Sequence, residues 1–335
     1  MICRITLVFS LVLLPSLTFA KPPSREESDR QSQVLKQLKE SVAGATTDAG
    51  KLAAITQVLT DESDVDLRRR IVDIATTAIH GRILEEFLIA RPTTEKDAGL
   101  RSQAATALGQ TGSEDCLAVL AKVAAYDQIT SNQIGDIRIR SSARRAAIFA
   151  LAQLAERFPK LADRAADELR TVPATPDPKD KESLSDARRQ ALYRITHDET
   201  LLQPFFDQLK SDDPKEREKG IVAFRFLKLK KAPPEVVHTL QDPSVEVRSW
   251  AALVLGEIGD RNTVAPLVKL AEDSRMERRV RCNAIGALGR MRAENAAELM
   301  KKLLSDQDVS TNAAIALYRI TGEKTKQFPD GYNAD

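Results

Sequence analysis

Aromatic side chains are scarce in this chain: Phe, Tyr and Trp together make up 4% of 335 residues. That is too few for the stacking platforms on which proteins hold single-stranded nucleic acid. Charge of one sign is also missing, because 50 Lys and Arg face 48 Asp and Glu for a net +2. No long-range field therefore gathers polyanions or anionic lipid. The three histidines, His80, His197 and His238, stand far apart, without a second His at i+4 or a cysteine cluster. Zinc-type ligand spacing is thus absent from the sequence. There is no G-x-S-x-G elbow, P-loop or C-x-x-C motif. The sequence nominates no catalytic residue, no metal ligand and no cofactor.

Long apolar runs are lacking too, apart from the first twenty residues. There Arg4 precedes the apolar stretch Ile5–Leu14, and Thr18-Phe19-Ala20 supplies a small-x-small site. That order is the order of a secretory signal peptide, and Pro15 cuts the run short of a bilayer span. Residues 1–20 are read as a signal peptide, so the mature chain is expected outside the cytoplasm, periplasmic or secreted, without membrane insertion. Residues 21–30 form a polar lead, 31–49 an N-terminal capping helix and turn, 50–322 the main array, and 323–335 a polar tail.

What the sequence has in abundance is itself. In DPSVEVRSWAALVLGEIGD (Asp242–Asp260), Arg248 is followed by Ala251, Leu255, Gly256 and Gly259. Arg101 has the same companions in Ala104, Leu108, Gly109 and Gly112, and Arg281 has Ala284, Leu288 and Gly289. Further markers fall at Arg68, Arg144, Arg188, Lys219 and Ser310. Asp213-Pro214 stands before Lys219 as Asp242-Pro243 stands before Arg248. The string ALYRIT occurs twice, at Ala191–Thr196 and Ala316–Thr321, and aligning those copies would move the fourth marker to Ser185. A period of tens of residues with apolar positions at three- and four-residue steps predicts stacked pairs of amphipathic helices. Asp242-Pro243 reads as an N-cap with Pro at N1, and Gly259 as a left-handed stop.

The D-P-x-x-x-V-R-x-x-A-A-x-x-L-G-x-x-G string resembles the HEAT repeat, in the short bacterial form of phycobilin lyase subunits. The resemblance spans Lys51–Gly322 and implies an all-α, right-handed α-solenoid of about eight helix pairs. It implies also that Asp and Arg bond along the stack as an internal ladder. Asp213 with Lys219, Asp242 with Arg248, and Arg101 and Arg281 would then be scaffold residues, with Ser310 ending the ladder. Deoxyhypusine hydroxylase, an enzyme of such repeats, holds iron through His-Glu dipeptides, and none occurs here. Cys116 and Cys282 fall in repeats too far apart for a disulfide, and read as small core side chains.

At 100° per residue, positions +1, +5 and +9 from each marker point away from the core. They carry Arg145 and Arg189 at +1, and Phe149, Tyr193, Phe224 and Leu253 at +5. Trp250 lies beside them at +2. Large apolar side chains bordered by Arg have the composition of an interaction surface. Two long spacings, Asp127–Ile139 with Ile134 and Thr171–Ser183 with three prolines, read as loops on one edge of the stack. The expected function is a non-catalytic scaffold that holds a protein partner of unknown identity. The rivals are an enzyme or accessory subunit acting on a protein-bound tetrapyrrole, which the phycobilin lyase resemblance raises, and a nucleic-acid-binding repeat protein.

Overall fold

The computed structural model describes residues 24–62, 64–95, 97–125, 137–173, 178–329 and 331, and among these not the side chains of 61, 65, 98, 137–142 and 178–183. All the regular structure among the described residues is helical, with no strand. The chain divides into two compact units, Met1–Phe87 and Leu88–Asp335.

In the first unit, α1 (Arg25–Gly44) lies on α2 (Asp48–Asp61) and α3 (Val65–Ala78). Leu38 and Val42 of α1, Ile55 and Leu59 of α2, and Leu67, Ile71 and Ala75 of α3 are its buried apolar residues. The capping helix is longer than the sequence expectation, because Ser24 supplies a proper N-cap by accepting the Glu27 N–H. Its polar side is tied down by Arg30, which bonds Glu27 and Glu62, and by Gln31, which donates to Asp64. The next helix, α4 (Gly81–Ile89), carries the boundary between the units.

The second unit continues with α5 (Arg91–Thr94), α6 (Ala98–Thr111), α7 (Cys116–Ala125), α8 (Ile137–Arg157), α9 (Ala162–Thr171) and α10 (Pro178–Thr196). It ends with α11 (Gln203–Leu209), α12 (Pro214–Ala223), α13 (Pro234–His238), α14 (Val245–Ile258), α15 (Val264–Glu272), α16 (Arg278–Arg290), α17 (Ala297–Leu303) and α18 (Ser310–Thr321). Short first helices alternate with longer second helices, and the even-numbered members from α6 to α18 are the second ones. Neighbouring second helices α6 and α8, α8 and α10, α12 and α14, α14 and α16, and α16 and α18 lie side by side.

Three second helices, α6, α12 and α14, begin in one way. A side-chain cap, Asp97, Asp213 or Ser244, accepts an N–H of the first turn. Four residues on, an arginine folds back over the turn and donates to carbonyls left open before it. Arg101 reaches Glu95 O, Arg217 reaches Ser211 O and Asp212 O, and Arg248 reaches Asp242 O and Pro243 O. Each guanidinium thereby gives carbonyls of the turn a hydrogen bond whose absence burial would make costly. Close packing of the second helices then depends on small residues. A Cβ on Gly256 would fall 2.5 Å from the Ala287 Cβ, and one on Gly109 2.6 Å from the Ala150 Cα.

The two expected loops are shorter than the spacing suggested. α8 already begins at Ile137 and α10 at Pro178, so 137–139 and 178–183 are helical. Pro178 opens α10 as Pro214 opens α12, and the Lys and Glu residues after it favour helix. Ile134 lies outside the described residues. The Asp242-Pro243 start also differs from expectation: Ser244 is the N-cap, and Asp242 is turned to another partner. The tail after Gly322 returns on the last pair. The Phe328 ring lies 4.9 Å from the Tyr318 ring, Lys324 sits over both, and Gln327 donates to Leu304 O.

Candidate partner-binding wall

The true register of the second helices comes from two ladders that run along the stack. In the first, an arginine of one pair grips a carboxylate in the turn of the next. Arg217 binds Asp242 in bidentate fashion at 2.7 and 3.0 Å, Arg248 binds Glu277 at 2.7 Å, and Arg281 binds Asp306 at 2.7 Å. In the second, the residue after one arginine meets the residue two after the following marker. Trp250 Nε1 donates to Glu218 at 2.8 Å, Asn283 to Ser249 Oγ at 2.8 Å, and Cys282 Sγ to Asn312 at 3.3 Å.

Both ladders correct the expected partners. Lys219 is not in either; it pairs with Glu216 on the surface of its own helix, and Arg217 holds the ladder position. Asp213 caps α12, and Asp242 is held by Arg217 as well as lending its carbonyl to Arg248. Gly220 then falls at +3, where Ala251 and Ala284 stand, and the shift moves Phe224 to +7 beside Leu255 and Leu288. All three of those +7 side chains are core, and Phe224 is 1% exposed. In α10 the two ALYRIT copies give the register, since each ends on a left-handed residue, His197 and Gly322. Tyr193 accordingly faces inward at 7% exposure, where burial and the nearby Glu199 carboxylate both raise its pKa. Neither Phe224 nor Tyr193 is available to a partner.

Where the marker was right, Phe149, Leu253, Trp250 and Arg145 are half-buried on the second-helix face, and Arg189 is half-buried too although the α10 marker was displaced. Two residues that the misplaced register hid complete it, Phe226 and Arg225. Arg145 lies over Phe149 and Phe226 at 5.8 and 5.4 Å from their centroids, and burial lowers its pKa against the pull of Asp186. Arg225 lies over Phe226 and Trp250 at 6.0 and 5.6 Å, and its edge is held by Glu257 with two bonds of 2.8 Å. Arg189 pairs with Asp186 at 3.0 Å. The result is an alternation of rings and guanidinium planes, Phe149, Arg145, Phe226, Arg225, Trp250, that continues to Leu253.

Against known families, the HEAT repeats model matches residues 202–279, and the PBS lyase HEAT-like repeat model matches 100–126 and 280–306. The chain carries HEAT repeats over those stretches. Human deoxyhypusine hydroxylase in complex with glycerol is similar at 18% identity and a TM-score of 0.36, with 82% of this chain and 98% of that one covered. The YibA protein of Escherichia coli is similar at 17% identity and a TM-score of 0.42, covering 90% and 99%. An engineered protein is similar at 20% identity and a TM-score of 0.31, covering 71% and 96%. A search of curated proteins by sequence found no match.

Between α13 and α15 lies an open groove of about 1040 Å³. Its floor is apolar, with Val237, Leu240 and Leu270, and its rim carries both signs of charge, with Lys231 and Lys269 against Asp260 and Asp273. Among the described residues no group of three or more His, Cys, Asp or Glu is placed to hold a metal ion. Cys116 is buried and Cys282 half-buried, and neither is in a disulfide.

Proposed function

We propose that this HEAT-repeat protein is a non-catalytic scaffold that binds a protein partner along its second-helix wall, after export from the cytoplasm. The observation that carries the reading is the half-exposed run of rings and guanidinium planes from Phe149 to Trp250. Aromatic and Arg side chains dominate binding energy at protein interfaces, where their partial burial already removes much of the ordering cost. Leu253 and Trp250 stand at the open end of the run and are the contact residues of this reading. Export is supported by the order Arg4, Ile5–Leu14 and Thr18-Phe19-Ala20.

The test is recovery of the partner by cross-linking from the native compartment, with wild type and a Trp250→Ala, Leu253→Asp variant in parallel. Loss of two hot-spot contacts should weaken binding by about thirty-fold or more, at equal helicity. Equal recovery by the folded variant would remove the wall from contention. Sequencing the mature N-terminus should return Lys21, and an intact Met1 start would refute export.

A further inference from the structure

Stacked repeats contact only their neighbours, which makes such proteins quasi-one-dimensional. One place in the second compact unit breaks that rule. Phe149 of α8 stacks on Phe226, which belongs to the pair after next, with centroids 5.5 Å apart and planes at 29°. Arg145 of α8 covers the same Phe226 ring at 5.4 Å. Two turns further along α8, Glu156 takes the Lys228 ammonium on one oxygen and Arg194 of the intervening α10 on the other. Burial raises the Glu156 pKa, but the bonds from Arg194 and Lys228 outweigh it and hold the group ionised. Three side chains of α8 thus reach past α10 to the short run Phe226–Lys228.

That run is presented by a local change of backbone. α12 stops at Ala223, Phe224–Phe226 turn as a 3-10 segment, and Lys228 takes a left-handed φ of 53°. The seam that the contact spans differs from others in the stack. Gly109 on Ala150, Gly256 on Ala287 and Gly289 on Ala316 close three seams by backbone approach. Between α10 and α12, by contrast, α10 has no glycine and Gly220 of α12 packs on Gln208 and Leu209 of α11, while Gln190 bridges to Ala223 O. That seam lacks the backbone approach that closes the other three.

We propose that the contact of Arg145, Phe149 and Glu156 with Phe226 and Lys228 is a clasp across a hinge. It sets the angle between the α8 and α12 pairs, and its release lets them part about the α10–α12 seam. The aromatic half does most of the holding, because Lys228 is well exposed and its pairing is screened by salt.

The protein alone tests this, apart from any partner. Spin labels at Lys122 and Asp212, both exposed and outside the clasp, report the separation of the two pairs once Cys3, Cys116 and Cys282 are replaced by alanine. The intact clasp should give one narrow distance distribution. Phe226→Ala should shift it to longer distances and broaden it. Lys228→Glu, which sets like charge against Glu156 at an exposed site, should move it in the same direction by less. Far-UV circular dichroism identifies which variants are folded, and Lys228→Glu decides the matter should Phe226→Ala lose helicity. An unshifted, equally narrow distribution in the folded variants would overturn the clasp.

Discussion

At the scale of single residues, the stack rests on arginines whose neighbours are fixed to within one position. Arg217 and Asp242 are the sharpest case, with side chains 13% and 7% exposed. Removing one member of so enclosed a pair strands the other, so Arg217→Ala should cost about 3 kcal/mol in urea unfolding. Lys219→Ala, two residues away, should change stability by less than about 0.5 kcal/mol, because its exposed pair with Glu216 is worth little. Equal effects from the two would mean that the ladder runs through Lys219 after all. Gly256→Ala should cost about 1–3 kcal/mol in the same measurement, since its Cβ would overlap Ala287 and the two helix backbones must move apart.

At the scale of the helix, the C-terminal residue decides how each second helix stops. Gly259 and Gly322 take left-handed φ values of 75° and 80° without strain, but His197, Lys228 and Arg292 take the same conformation with a Cβ. Arg292→Gly should therefore raise stability by about 1 kcal/mol, read as a higher urea midpoint at unchanged slope. Helix existence, pairing and the Gly stops were legible from sequence because all three depend on local spacing. Register was legible at Arg101, Arg248 and Arg281, where the markers were strong, and at Arg144, where Ala stands for both glycines. In α12 the Asp-Pro start drew the marker to Lys219, although Gly220 at three after Arg217 already offered the right one. That slip of two residues turned Phe224 from core to surface and hid Phe226. In α10 the ALYRIT repeat held the correct register all along. Contacts such as Phe149 on Phe226 could not be read, since nothing local reports which pairs meet across an intervening one.

At the scale of the whole chain, acid should act through the ladders. Burial raises the Asp242 pKa, but Arg217 and the Ser244 N–H more than offset it and leave the group below the usual carboxylate range. Asp306 is lowered in the same way by Arg281. A depressed folded pKa contributes stability that is present above the unfolded value of about 4 and is lost as pH falls through the folded one. Unfolding free energy should thus be flat from about pH 7 to 5 and fall below about pH 4. Asp242→Asn should be less stable at neutral pH and show a shallower acid decline, and parallel curves would contradict the assignment.

The two copies of the hexapeptide place their tyrosines in different company. Tyr193 is buried in one cluster with Leu227 of the following pair; Tyr318, its counterpart, has the Phe328 ring and the Lys324 ammonium over it. Phe328 thus sits on the side of α18 that corresponds to Gly256 and Gly289, which meet the helix after their own. Grafting another pair onto α18 would require moving that ring off Tyr318 first.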